Sequence, residues 1–264
     1  MHNARTFWMK ELTENLRTKR LLVLMCVFIF FAITGPLMVR YMSEFLALFI
    51  PGDDETGQAL LEAMGTPTWQ DSLIAYYGNL GQIGALTVLL LYMGTILREK
   101  RSGTADLVMT KGLSPLVFVL AKFDVAAVMI LVTNFIALSV SYAYTLLLFE
   151  DVGSFVHVLW GGAAFSVFLL MILAITIFTS ALAKSTAMAA VLGFLAFMIL
   201  GIISAVPRIG VYSPGSLMMQ APIVLTFGEV PDRFVAGIVI AVLISALCLW
   251  GAVRLTAIKH VPNA

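Results

Sequence analysis

The chain has 264 residues, of which 61% are hydrophobic and only 12% charged, with a formal net charge of +1 and a mean hydropathy of +1.00. Soluble domains run at roughly 45–50% apolar and about 25% charged. The composition therefore excludes an ordinary soluble enzyme and a disordered chain, and the near-zero net charge gives no footprint for nucleic acid.

The first twenty residues carry Trp8, Leu12 and Leu16 at helical spacing, with Arg5, Lys10, Glu11, Glu14 and Arg17 between them. This pattern predicts an amphipathic helix over 1–20 whose tryptophan suits a membrane interface, a solvated helix being the plainer alternative. Six runs then reach the roughly 20 apolar residues that a bilayer crossing needs. They are Leu21–Val39, Ala75–Leu97, Phe123–Phe149, Val158–Ala183, Ala187–Val206 and Phe234–Val253. The first is too long for a signal-peptide core and lacks a cleavage site. Alternating ten-residue segments, the mark of a membrane barrel, are missing. The expected fold is one all-α, polytopic domain over 1–264.

An even number of spans puts both termini on one side. With the N-terminus inside, only Arg40, Arg208 and Arg233 of the 16 basic residues fall outside. The positive-inside rule then places both termini in the cytoplasm. The outer loop 41–72 is long and acidic, with a turn at Pro51-Gly52-Asp53-Asp54 and a short helix expected over Thr56–Met64.

The inner loop between spans two and three is the most structured. Arg98, Glu99, Lys100 and Arg101 close span two, and Gly103 permits a sharp turn. Thr104–Thr110 predicts a short helix with Leu107 and Val108 or Met109 as its apolar face. Lys111 and Gly112 suit its C-terminal end. Ser114-Pro115 opens a new helix running to Phe149, roughly 52 Å long. That length puts Lys122 and Asp124 at the membrane border, where charges cost little. A short bracketed helix of this kind is either a docking element for a soluble partner or an ordinary loop. Between spans five and six, 207–233 is too apolar for a loop and too broken by Pro214 and Pro222 for a span, so a re-entrant or interfacial hairpin is expected.

Phosphate-loop, zinc-protease and nucleophile-elbow motifs are missing from the sequence, and Cys26 and Cys248 form no framework. The spans hold no central ionisable residue of the kind that ion-coupled carriers use. Asn79, Gln82, Asn134 and Tyr142 are candidate cavity-lining residues, with packing between helices the alternative.

Taken together, the amphipathic start, six spans, broken outer segment and inner loop resemble the type-2 ABC exporter permeases, the transmembrane subunits of bacterial ATP-driven exporters. The likeness is most specific at Glu99, Gly103-Thr104, Leu107, Thr110-Lys111, Ser114 and Lys122. It departs at Arg101-Ser102, at Gly112 and at Ala121. The resemblance implies a bacterial cytoplasmic membrane location, a second permease chain and a separate ABC ATP-binding subunit that holds the ATP and Mg. This chain would itself carry no cofactor, metal or catalytic residue. Docking would use the Thr104–Thr110 coupling helix, with Leu107 and Val108 as its knob, Glu99 and Arg101 as its base, and Gly103, Thr104, Thr110 and Lys111 around it. An amphipathic or hydrophobic cargo, such as a peptide, lipid or drug, suits the weakly polar spans. The competing expectation is a non-transporting immunity, assembly or signalling factor that docks a cytoplasmic partner.

Overall fold

The computed structural model describes residues 2–47, 66–150, 152–218, 220, 224 and 232–258. In chain order the helices are α1 His2–Arg17, α2 Arg20–Arg40, α3 Met42–Ala47 and α4 Trp69–Asn79. A π-helical turn, Leu80–Gly84, joins α4 to α5, Ala85–Tyr92. Then come α6 Thr95–Arg101, α7 Thr104–Thr110, α8 Pro115–Leu148, α9 Phe155–Leu182, α10 Thr186–Ala205, a 3₁₀ turn Gly210–Tyr212 and α11 Asp232–Ile258. Among the described residues, six helical stretches are long and apolar enough to cross a bilayer, with α4 to α6 counting as one.

Helix starts follow local chemistry. Thr68 and Asp71 form a reciprocal capping box, so α4 begins at Trp69, six residues before the apolar run at Ala75. Ser114 accepts a hydrogen bond from Val117 N–H, with Pro115 at the first helical position of α8. Ser185 caps α10 in the same way through Met188 N–H. Lys19, at φ 57°, turns the chain from α1 into α2.

Span two contains the apolar run 75–97 within Trp69–Arg101, but it is not one regular helix. Besides its π turn, it breaks at Met93-Gly94 before α6. The break frees N–H groups at the start of α6. Ile96 and Leu97 donate theirs to Ser180 Oγ of α9, at 3.1 and 3.2 Å.

Helix α9 sits at the centre, packed by α8, α11, α5, α6 and α10, and is the most buried span. Small residues let its neighbours approach. A Cβ on Gly162 would strike Leu138 of α8. Helices α10 and α11 bury far less of their surface, so each offers the surroundings a broad apolar face. Span hydroxyls mostly bond their own helix: Thr87, Ser139, Thr145, Ser166 and Thr176 each donate to the carbonyl four residues back.

After α10 the chain doubles back. Gly210 lies on the Ser204 backbone, and the Ser204 and Ser213 hydroxyls meet at 3.0 Å. Leu217 is fully buried, and Met218 packs on Gly81 of the π turn. The described start of the 207–233 segment thus enters the bundle rather than lying outside it. The turn at 51–54 and the helix expected over 56–64 lie outside the described residues.

Candidate docking site

The hairpin from α6 to α8 is tied down at its base. Lys100 Nζ donates to Ala181 O and Leu255 O, at 3.2 and 3.3 Å, and Arg101 donates to Lys184 O at 2.7 Å. Ala181 and Leu255 lie in the last turns of α9 and α11, whose carbonyls lack helical partners and favour cations. The run Arg98–Arg101 therefore gathers three helix ends, a role that its spacing does not reveal.

Helix α7 is bracketed by two glycines in the left-handed region, Gly103 at φ 72° and Gly112 at φ 87°, where other residues would be strained. Ser102 and Thr104 share a hydroxyl contact at 2.8 Å, and Thr110 Oγ1 bonds Leu107 O at 2.9 Å. Ala105 and Leu113 are buried, which seats the helix on the bundle. Leu107 points away and is 58% exposed, with Thr110 and Lys111 exposed beside it. Val108 and Met109 pack toward the core instead. Of the expected knob of Leu107 and Val108, only Leu107 stands exposed, because seating a helix of about two turns consumes its other apolar positions.

Beneath the hairpin lies a buried ion cluster. Lys122 of α8, 2% exposed, donates to Glu11 Oε1 of α1 and Glu99 Oε1 of α6, both at 2.8 Å. Lys10 Nζ bridges Glu99, Glu14 and Glu11 at 2.6, 2.9 and 3.0 Å. The Phe118 and Phe7 rings close over Lys122 at 5.0 and 5.6 Å and touch each other. Lys122 was expected at the membrane border, where charges cost little. Instead α1 lies across it and seals it, and the two carboxylates balance its charge. Glu99 is correspondingly buried, so it anchors the hairpin from below and is not a contact surface.

Which face of α1 packs also differs from the apolar pattern. Phe7, Glu11 and Asn15 are buried, one residue out of phase with Trp8, Leu12 and Leu16, which stay exposed. Asn15 accepts from Arg20 Nη1 at 3.0 Å, and Arg20 lies over the Tyr92 ring at 5.2 Å. Around Lys10, burial works against the ammonium. The hydrogen bond to Glu99 and the neighbouring carboxylates outweigh it and hold its pKa above the ordinary lysine value. At Glu14, partial burial is likewise outweighed by Lys10, and the pKa is held below the ordinary glutamate value.

Glu11, Glu14 and Glu99 present carboxylate oxygens within 4.8 Å of one another, a spacing at which a cation could sit. Lys10 and Lys122 already occupy those oxygens, so the geometry is that of an ion-pair network. Glu99 Oε2 is buried with no hydrogen-bond partner.

The four candidate cavity-lining residues divide into two pairs. Asn134 is buried at a junction: Tyr76 OH donates to its Oδ1 at 3.4 Å, while its Nδ2 donates to Ser166 Oγ at 3.0 Å and Gly162 O at 3.4 Å. It floors a cleft of about 450 Å³ between α8 and α9. Tyr142 OH donates to Gly153 O at 2.8 Å, pinning the α8–α9 turn. Both tie helices together. Asn79, just before the π turn, is half-buried, and Gln82 within it is exposed.

No known family's sequence profile matches the chain. It is similar to YxlG of Bacillus subtilis (strain 168), described as an uncharacterized transmembrane protein, at 23% identity over 226 residues that span 85% of this chain and 86% of the relative. With six apolar spanning helices, no strand among the described residues, and a transmembrane relative along most of its length, the chain is an all-α, multi-pass membrane protein.

Proposed function

We propose that the chain is the permease subunit of an ATP-driven ABC exporter. It lies in a bacterial cytoplasmic membrane with both termini in the cytoplasm. It pairs with a second permease chain and docks a separate ATP-binding subunit, which supplies the ATP and Mg. The observation that carries this reading is the α7 hairpin: one exposed leucine on a helix fixed by two left-handed glycines, standing on a cluster that joins three helices.

The geometry suits force transmission. A push on the hairpin would pass from Glu99 of α6 to Lys122 of α8 and Lys10 of α1, and from Lys122 to Glu11 of α1. Rigid seating favours whole-helix motion over local bending, so that nucleotide energy in the partner biases two arrangements of the bundle. The basic run at this end supports a cytoplasmic side for it, the side on which a nucleotide-binding subunit would dock. The weakly polar spans suit an amphipathic or hydrophobic cargo.

The test is purification from native membranes in mild detergent, with an ATPase assay on the product. The expected result is a stoichiometric soluble ATPase that is lost from Leu107→Asp, while that variant inserts and melts as wild type. Leu107→Asp is the informative variant because the side chain is exposed. Charge reversal at Glu99 would also break the buried cluster. A chain that purifies with a non-ATPase partner through the same hairpin would support a docking factor that transports nothing.

A further inference from the structure

We infer that the cleft between α8 and α9 is a binding site for a neutral long-chain alcohol, whose hydroxyl donates a hydrogen bond to the acceptors that Asn134 and Ser166 leave open at mid-membrane.

The cleft encloses about 450 Å³, within the range of small-molecule sites. Its walls are apolar, with Leu131 and Phe135 on α8 and Leu159 and Leu170 on α9. Leu131 and Phe135 are exposed, so the cleft opens on the bilayer. Gly162 shapes the floor. Leu138 seats where a side chain on Gly162 would stand, and the backbone carbonyl is left free to accept from Asn134 and Ser166. Asn134 stands roughly 18 Å along α8 from Lys122 and roughly 21 Å from the Leu148 end, which puts the polar floor deep in the hydrocarbon.

Counting protons and lone pairs selects the occupant. Asn134 Nδ2 spends its protons on Ser166 Oγ at 3.0 Å and Gly162 O at 3.4 Å. Ser166 Oγ gives its single proton to Gly162 O at 2.8 Å. Tyr76 OH takes one lone pair of Asn134 Oδ1 at 3.4 Å. What these two side chains have left is one lone pair on Oδ1, one on Oγ, and no proton. The floor can therefore accept but not donate, and the occupant must bring the proton. Esters, ketones and bare hydrocarbon chains bring none. An ammonium brings several but needs a counter-charge, and none of the described residues that line the cleft is ionisable. An amide donates, yet carries a carbonyl for which the cleft holds no donor. A single hydroxyl on a hydrocarbon chain satisfies both floor and walls.

The site lies between the two helices whose Lys122 and Ser180 anchor the α7 hairpin, but the inference does not rest on the exporter reading. Its test uses two probes. Azioctanol is a photoreactive alcohol, and its methyl ether is the same chain without the hydroxyl proton. Each is irradiated with membranes that hold the full chain, and adducts are mapped by peptide mass spectrometry. The expected result is alcohol adducts over 131–138 and 159–170, competed by excess octanol and at least fivefold above those of the ether. Ala163→Phe fills the cleft from an exposed lining position and should abolish these adducts. Ser166→Ala removes an acceptor without adding volume, and should lower the alcohol's advantage several-fold whether or not Ala163→Phe folds. Three results would overturn the inference. One is equal labelling by alcohol and ether, the mark of a groove that any lipid chain fills. Another is alcohol labelling as strong at Leu195 on α10 and Leu247 on α11, which are exposed away from the cleft. The third is an unchanged preference for the alcohol in Ser166→Ala. None of these outcomes involves Leu107 or its partner, so the exporter reading stands or falls separately.

Discussion

Two of the buried polar clusters among the described residues are built of different chemistry. Near the end that carries both termini, Lys122, Lys10, Glu11 and Glu99 form a charged network roofed by aromatic rings. Farther along the same helix, Asn134 meets Tyr76, Ser166 and Gly162 in a wholly neutral one. The difference follows from depth. Ions are tolerated a short way in, where α1 supplies counter-charges and water is close, whereas mid-depth admits only groups that hydrogen-bond without net charge. The clusters also differ in what they join. The ionic one ties α1 and the α7 hairpin to the spans. The neutral one ties spans to each other.

The largest effect should come from stripping the ionic cluster. Lys122→Met leaves Glu11 and Glu99 with only the half-exposed Lys10 as counter-charge and should cost about 3–5 kcal/mol in detergent-titrated unfolding. Adding Glu11→Gln and Glu99→Gln should restore most of that loss. A single variant costing under about 1 kcal/mol would show that solvent reaches the site. Next is Gly162→Ala, whose Cβ strikes Leu138. Overpacking of this kind costs about 1–3 kcal/mol, and Leu138→Ala in the same chain should relieve it in the same unfolding series. Asn134→Leu should cost less, about 0.6–1.7 kcal/mol, the range of neutral hydrogen bonds between membrane helices. If it equals Lys122→Met, the contrast between the clusters fails.

The smallest effect is the pH dependence at the cluster's rim. Glu14 has a lowered pKa in the folded chain, so its contribution is present above its ordinary value of 4.5 and is lost as pH falls through the lowered one. Lys10 has a raised pKa, so its contribution is full below 10.5 and is lost as pH rises past the raised value. Both groups are partly exposed, and each pair is worth only about 0.2–1 kcal/mol. A spin label at Thr13→Cys should keep constant mobility from pH 5 to 10 and loosen below about 4.5. Mobility that changes near neutrality would place a different group in control.

The hairpin was readable from sequence because local chemistry marks it. Gly103, Gly112 and Ser114-Pro115 stop and start helices by their own backbone preferences. The spans were readable because each needs only length and apolarity. The ionic cluster was not, since Lys122 finds Glu11 across 111 positions and Glu99 across 23. A trace of it lay in the stripe Phe7, Glu11, Asn15, which repeats at the same spacing as Trp8, Leu12, Leu16. Apolarity favours the second stripe, and burial of a paired glutamate chose the first for packing. The π turn has no local marker, because Leu80–Gly84 reads as ordinary helix.

The most direct test of the docking account places a photo-cross-linking amino acid at Leu107 and, as a control, at Val128, with irradiation in living cells. The account predicts one adduct from position 107 and none from 128, and the captured protein should be a soluble subunit with a phosphate-binding loop. An adduct at 107 with a protein lacking that loop, or none at either position, would contradict it.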